Sequence, residues 1–155
     1  DGFKNMVVIS LKKKGLALFL CVAVAAGYLY AAALHKRSTE EGIMEYVQAN
    51  QTALEQFASG LLEDPAEGAR YNGWQADCYQ DVRMVEFIIK GTGIGSSTAY
   101  EGFYYSEDDR PIGFQGTELD FVRDGTGWSR REENGDNHEQ IEKITVHWYW
   151  FRMSF

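Results

Sequence analysis

Residues 141–155, IEKITVHWYWFRMSF, decide the fold of the C-terminal part of this chain. Successive side chains of a strand point to opposite faces. Read as one strand, Ile144, Val146, Trp148 and Trp150 share one face. His147, Tyr149, Phe151, Met153 and Phe155 share the other. Beyond Val146 both faces are apolar or aromatic, the pattern of a strand covered on two sides. Its aromatic end predicts a terminus held against the domain.

Working back from that strand, short alternating runs are separated by turn residues. Trp74–Tyr79 and Asp81–Lys90 read as strands, the second with Val85, Phe87 and Ile89 alternating against Glu86 and Lys90. Gly91–Ser97 reads as a loop and Ala99–Ser106 as an aromatic strand, turned by residues 107–111. Residues 112–115 and 118–123 read as one strand with a bulge at Gly116. Asp124-Gly125 is a hairpin signal, Trp128–Glu132 returns, and residues 133–137 turn into the final run.

Before the strands lies a helix from about Ser38 to Leu62. Ser38 and Glu41 stand at capping-box spacing. Ile43, Val47, Asn50, Leu54, Phe57 and Leu61 recur every three or four residues, one stripe of an amphipathic helix. The stripe is expected to cover one face of the sheet; a short coiled-coil seam with Asn50 setting register is the alternative. Pro65 ends the helix. The other sheet face calls for a curled sheet or a partner.

Residues 15–34, GLALFLCVAVAAGYLYAAAL, carry no charge over twenty positions. At about 1.5 Å per residue, a helix of that length spans about 30 Å, the hydrocarbon thickness of a bilayer. Lys12–Lys14 precede it; His35, Lys36 and Arg37 follow. Ala23, Gly27 and Ala31 place small residues four apart, and Tyr28 and Tyr30 suit the headgroup boundary. The alternative is a cleaved signal segment, with Ala31-Ala32-Ala33 as the processing site. A lipid-modified Cys21 fits less well, because bulky Leu20 precedes it. Met6 is a candidate start.

The expected class is α+β: a transmembrane helix, an amphipathic helix, and an antiparallel meander of five or six strands packed on it. The expected divisions are a cytoplasmic segment 1–14, a transmembrane helix 15–34, a helix and linker 35–70, and a β domain 71–155.

Charge is split. Residues 1–37 hold six Lys/Arg against one Asp, a net of +5; residues 38–155 hold nine against 22 Asp/Glu, a net of −13. The basic start favours a cytoplasmic N-terminus and an extracytoplasmic domain, with lipid as partner through 15–34. The acidic domain argues against nucleic acid, which needs a basic patch. Cys21 and Cys78 form no disulfide framework.

No catalytic constellation stands out, and no cofactor or metal is implied. Gly91-x-Gly93-x-Gly95 lacks the lysine of a phosphate loop. Asp108-Asp109 and Asn134-Gly135-Asp136-Asn137 are ordinary turn residues. His35, His138 and His147 are too scattered for a zinc site. Cys78 with His147 is the candidate pair for a small hydrolase. The aromatics Tyr100, Tyr104, His147, Tyr149 and Phe151 form a candidate interaction surface, with core packing as the plainer reading.

The phrases GFYYSEDDRPIGFQG, DGTGW, ENGDN and HWYWFRMSF resemble those of small single-pass membrane proteins of Gram-positive bacteria across most of 71–155. That resemblance implies a location and no mechanism. In architecture, lysines and Gly15, an apolar run, a helix and an antiparallel sheet are similar to type IV pilins and pseudopilins. Those carry a glutamate five residues after the processing site, where Leu20 stands here. The expected role is a membrane-anchored, non-catalytic interaction domain engaging a protein partner or a second copy. The alternatives are a pilin-like subunit and a small hydrolase.

Overall fold

The computed structural model describes residues 21–32, 38–94 and 97–155. The chain divides between residues 37 and 38 into two units. Helix α1, whose described part is residues 21–32, belongs to the first; its side chains are exposed. No helix among the described residues is long and apolar enough to cross a membrane. Residues 15–20 and 33–34 of the expected span, its basic flanks, and Gly95-Ser96 lie outside the described residues.

The second unit begins with α2 (Glu40–Glu63). Its N-cap is Thr39 rather than Ser38: the Thr39 hydroxyl accepts from the Gly42 N–H at 3.2 Å. Glu40 and Glu41 complement the positive end of the helix. The stripe packs on the chain's own sheet, with Ile43, Val47, Leu54, Ala58 and Leu61 buried. Asn50 does not set a seam. Its amide donates to the Tyr46 carbonyl at 2.8 Å and its backbone leaves helical geometry (φ −120, ψ 15). The side chain competes with the helical ladder there and kinks α2.

Eight strands follow: β1 (Arg70–Tyr71), β2 (Trp74–Tyr79), β3 (Met84–Ile94), β4 (Ser97–Ser106), β5 (Val122–Asp124), β6 (Gly127–Arg131), β7 (His138–Thr145) and β8 (Trp148–Ser154). They form one antiparallel sheet in the order β1-β2-β3-β4-β8-β7-β6-β5. The α+β class holds, but the single meander of five or six strands does not. Two four-stranded meanders join through β4 and β8 at the centre. Glycine is required at Gly102 in β4, where a Cβ would meet the Phe87 carbonyl oxygen and lie 3.0 Å from the Phe151 ring.

The expected final strand is two. It folds back at Val146-His147 between the paired Thr145 and Trp148. His147 takes a left-handed φ of 65. Its N–H donates to Asp109 Oδ1 at 2.8 Å, so a residue 38 positions away holds the turn. The face assignments within β8 hold: Trp148 and Trp150 pack toward α2, while Tyr149, Phe151 and Met153 pack on the far side.

The far side is covered by the chain itself. Residues 107–121, of which 107–111 are expected to turn and 112–115 and 118–121 to be strand, run instead as a strap from β4 to the β5 edge. They contain a single 3-10 turn, Phe114–Gly116. Ile112 and Phe114 sink into the aromatic face, Phe114 stacking on Tyr100 at 5.1 Å and lying 5.7 Å from Phe151. Central strands are therefore buried on both sides, as the aromatic run required. Phe155, at the end, donates its N–H to the Thr98 carbonyl at 2.9 Å.

Candidate functional site

The five aromatic candidates are only partly brought together. Tyr104 and Tyr149, cross-strand partners on β4 and β8, stack at 5.2 Å with Phe151 beside them. All three are core residues, no more than 1% exposed. Tyr100 is half-buried under Phe114. His147 leaves this face altogether; it sits in the β7–β8 turn, its ring 5.6 Å from Tyr105 and its Nδ1 3.1 Å from the Ser106 carbonyl. The expected aromatic platform is thus mostly the floor beneath the strap.

Cys78 and His147 are not brought together. Cys78, Val85, Tyr105 and Trp148 lie in one row across β2, β3, β4 and β8. Three steps of about 4.8 Å put Cys78 roughly 14 Å from the neighbour of His147. The thiol instead lies 3.5 Å from the Leu61 carbonyl and receives the Gln80 amide at 3.1 Å. A hollow of about 480 Å³ opens beside it, lined by Pro65, Glu67, Asp77 and Tyr79 among others, with no histidine.

A second hollow, of about 260 Å³, lies between the start of α2 and the β5–β6 hairpin. Glu40, Asp124, Gln140, Glu142 and Trp150 line it. Burial, with help from Glu142 and Glu101, raises the Glu40 carboxyl above its ordinary value. Ligand pockets usually run to about 300–1,000 Å³ with mostly apolar walls, so this one is small and acidic. Among the described residues, no group of three or more His, Cys, Asp or Glu is placed to hold a metal ion.

The densest chemistry lies under the strap. Glu86 on β3 and Glu139 on β7 are 1% and 2% exposed. Glu139 Oε1 accepts the Phe114 N–H at 2.6 Å, and Glu86 Oε2 accepts the Gln115 N–H at 3.0 Å. The second oxygen of Glu139 has no partner among the described residues. The Tyr104 hydroxyl accepts the Ile112 N–H at 3.0 Å. Burial pushes Glu86 up to about 8, against the Gln115 N–H and helped by Asp77 and Glu139. Burial likewise pushes Glu139 up to about 7, against the Phe114 N–H and Arg130. Neither acid stands out in the sequence. Glu86 occupies the polar step of an alternating strand, and only the covering strap makes its face a core.

The strap's first turn is fixed by Asp109. Its carboxylate accepts from Lys143 Nζ at 2.7 Å, the His147 N–H at 2.8 Å and the Tyr149 hydroxyl at 3.1 Å. Burial pushes this carboxyl up, but the three donors outweigh it and hold it below its ordinary value.

Comparison with protein-family models, with curated proteins and with solved structures finds no match.

Proposed function

We propose that this chain is a membrane-anchored, non-catalytic interaction domain, with residues 15–34 in lipid and the acidic unit held on the extracytoplasmic side. The observation that carries this reading is the uncharged run of twenty residues between a basic start and an acidic domain. The described part of α1 supports it: Val22, Val24, Leu29 and their neighbours are exposed all round, a surface that water does not favour. The non-catalytic part rests on the separation of Cys78 from His147 and on two sheet faces closed by the chain's own segments. A protein partner or a second copy would meet the unit through its accessible surface, where Tyr100 and His147 are the candidates left partly exposed.

Membrane fractionation with surface proteolysis tests this. The full chain is expected in the membrane fraction, resistant to high salt and alkaline extraction, with the acidic unit digested by protease added to intact cells. Substituting Val22→Arg and Val24→Arg together, at about 2.5–3.5 kcal/mol each near a helix centre, is expected to shift it to the soluble fraction. Full chain recovered in the aqueous fraction without detergent overturns the anchor. Protection of the acidic unit in intact cells overturns the orientation, and a mature N-terminus at Leu16 favours the pilin-like alternative.

A further inference from the structure

Two carboxyl groups buried beneath the strap, Glu86 and Glu139, are not used by the reading above. We propose that residues 107–121 form a pH-sensitive strap, closed over the aromatic face while Glu86 and Glu139 hold their protons and loosened in its middle when they ionise.

The geometry supports this in three ways. First, the two acids reach from strands three apart in the sheet to adjacent residues of one turn, Phe114 and Gln115. The middle of the strap therefore rests on these two groups. Second, their surroundings do not neutralise them. Glu86 faces Asp77 and Tyr79 from β2, Tyr104 from β4, and Glu139 from β7. Glu139 has only Arg130 of β6 acting on it as a cation, and neither acid is in an ion pair among the described residues. Lys143, on the same face, is engaged by Asp109. Third, the strap packs closely over Glu139 at Gly113. A Cβ on Gly113 would lie 2.9 Å from Leu119 Cδ1 and 3.3 Å from Glu139 Oε2. A protonated Glu139 leaves a buried hydroxyl there; an ionised one leaves a buried charge, far more costly.

The sign follows. With the strap lifted, both carboxyls meet water and titrate in the ordinary range. With it shut they titrate at about 7 and 8. The shut form is therefore fully favoured below the ordinary carboxylate range, and its advantage is lost as pH rises through about 7 to 8. Between those limits each acid shifts the open-to-shut ratio by about tenfold per pH unit. The first turn of the strap does not share this response. Asp109, held below its ordinary value by its three donors, keeps its charge and its partners across that interval. The movement is confined to residues 112–117, a local opening that leaves the sheet ladders in place.

Amide hydrogen exchange on the full chain in detergent micelles, at pH 6 and pH 8.5 with intrinsic rates corrected, reads this directly. Protection of the Phe114 and Gln115 amides is expected to fall at least about tenfold at the higher pH. Protection of Phe103 and Trp150 in the central strands is expected to stay level. The double substitution Glu86→Gln and Glu139→Gln is expected to hold strap protection level at both pH values. Flat protection in the unsubstituted chain overturns the proposal, as does an equal fall in the doubly substituted one. Should the glutamines prevent folding, carbon-13 titration of the glutamate carboxyls in the unsubstituted chain decides. Two midpoints near 7 and 8 support the strap; two in the ordinary range overturn it.

Discussion

Asp109→Asn tests how the central β7–β8 turn is made. The turn has neither glycine nor asparagine, and His147 sits at φ 65, a conformation that costs an L-residue about 1–2 kcal/mol. The Asp109 carboxylate holds it by accepting three donors. Asparagine keeps the shape and tolerates the left-handed φ of 51 at this position, but it removes the charge. Hydrogen bonds to a charged acceptor are roughly twice as strong as neutral ones, so the two bonds to Oδ1 lose about 0.5–1 kcal/mol each. The Lys143 pair, about a third exposed on each side, adds only about 0.5 kcal/mol after screening. The expected loss is about 2 kcal/mol at pH 7, or roughly 8 °C in Tm for a unit of this size. The folded-state pKa of Asp109 is lowered, so its contribution is present above the ordinary carboxylate range and disappears as pH falls through the lowered value. Urea denaturation at pH 7 and in acid should show the gap closing in acid. Adding His147→Gly should restore about 1 kcal/mol at pH 7 by relieving the left-handed strain. An Asp109→Asn protein as stable as the parent at pH 7, or a gap of equal size in acid, refutes this account.

Gly102→Ala drives a methyl group against the Phe87 carbonyl oxygen and the Phe151 ring in the middle of the sheet; destabilisation of more than about 3 kcal/mol is expected by urea denaturation. Trp148→Ala empties the centre of the helix-side core, where the indole packs within 6.1 Å of Phe87, Phe103 and Tyr105. That should cost about 3–5 kcal/mol. Val122→Ala, on the exposed β5 edge, should stay within about 0.5 kcal/mol of the parent in the same assay.

The helix stripe and the two faces of β8 were legible in the sequence because both rest on periodicity, and burial enforces periodicity. The strap reads as a strand for the same reason. Ile112 and Phe114 alternate because each reaches down to a sheet, and alternation reports facing a sheet as readily as belonging to one. The turn at Val146-His147 was invisible because its cause, Asp109, is remote in sequence. The β1–β2 hairpin does carry a local signal. Asn72-Gly73, both at positive φ, carries the usual two-residue turn signal inside what reads as a linker. Of the aromatic candidates, three of five are core, as the plainer reading had it.

The two covers of the sheet differ in kind, and this difference locates where the molecule can change. Helix α2 meets the sheet with hydrocarbon: Ile43, Val47, Leu54, Ala58 and Leu61 against Val85, Phe87, Phe103 and Trp148. The side chains named there carry no ionisable group, so the strength of their packing is set by area removed from water. The strap meets the other face with two aliphatic or aromatic anchors and three backbone N–H groups, two of them held by buried acids. A cover built on carboxyls is only as firm as their protonation, whereas the ladder beneath it is continuous from β3 through β7. A rise in pH should therefore uncover Tyr100, Tyr104 and Phe151 without unfolding the strands that carry them. The aromatic surface anticipated in the sequence would then exist as one state of the molecule rather than as its resting face.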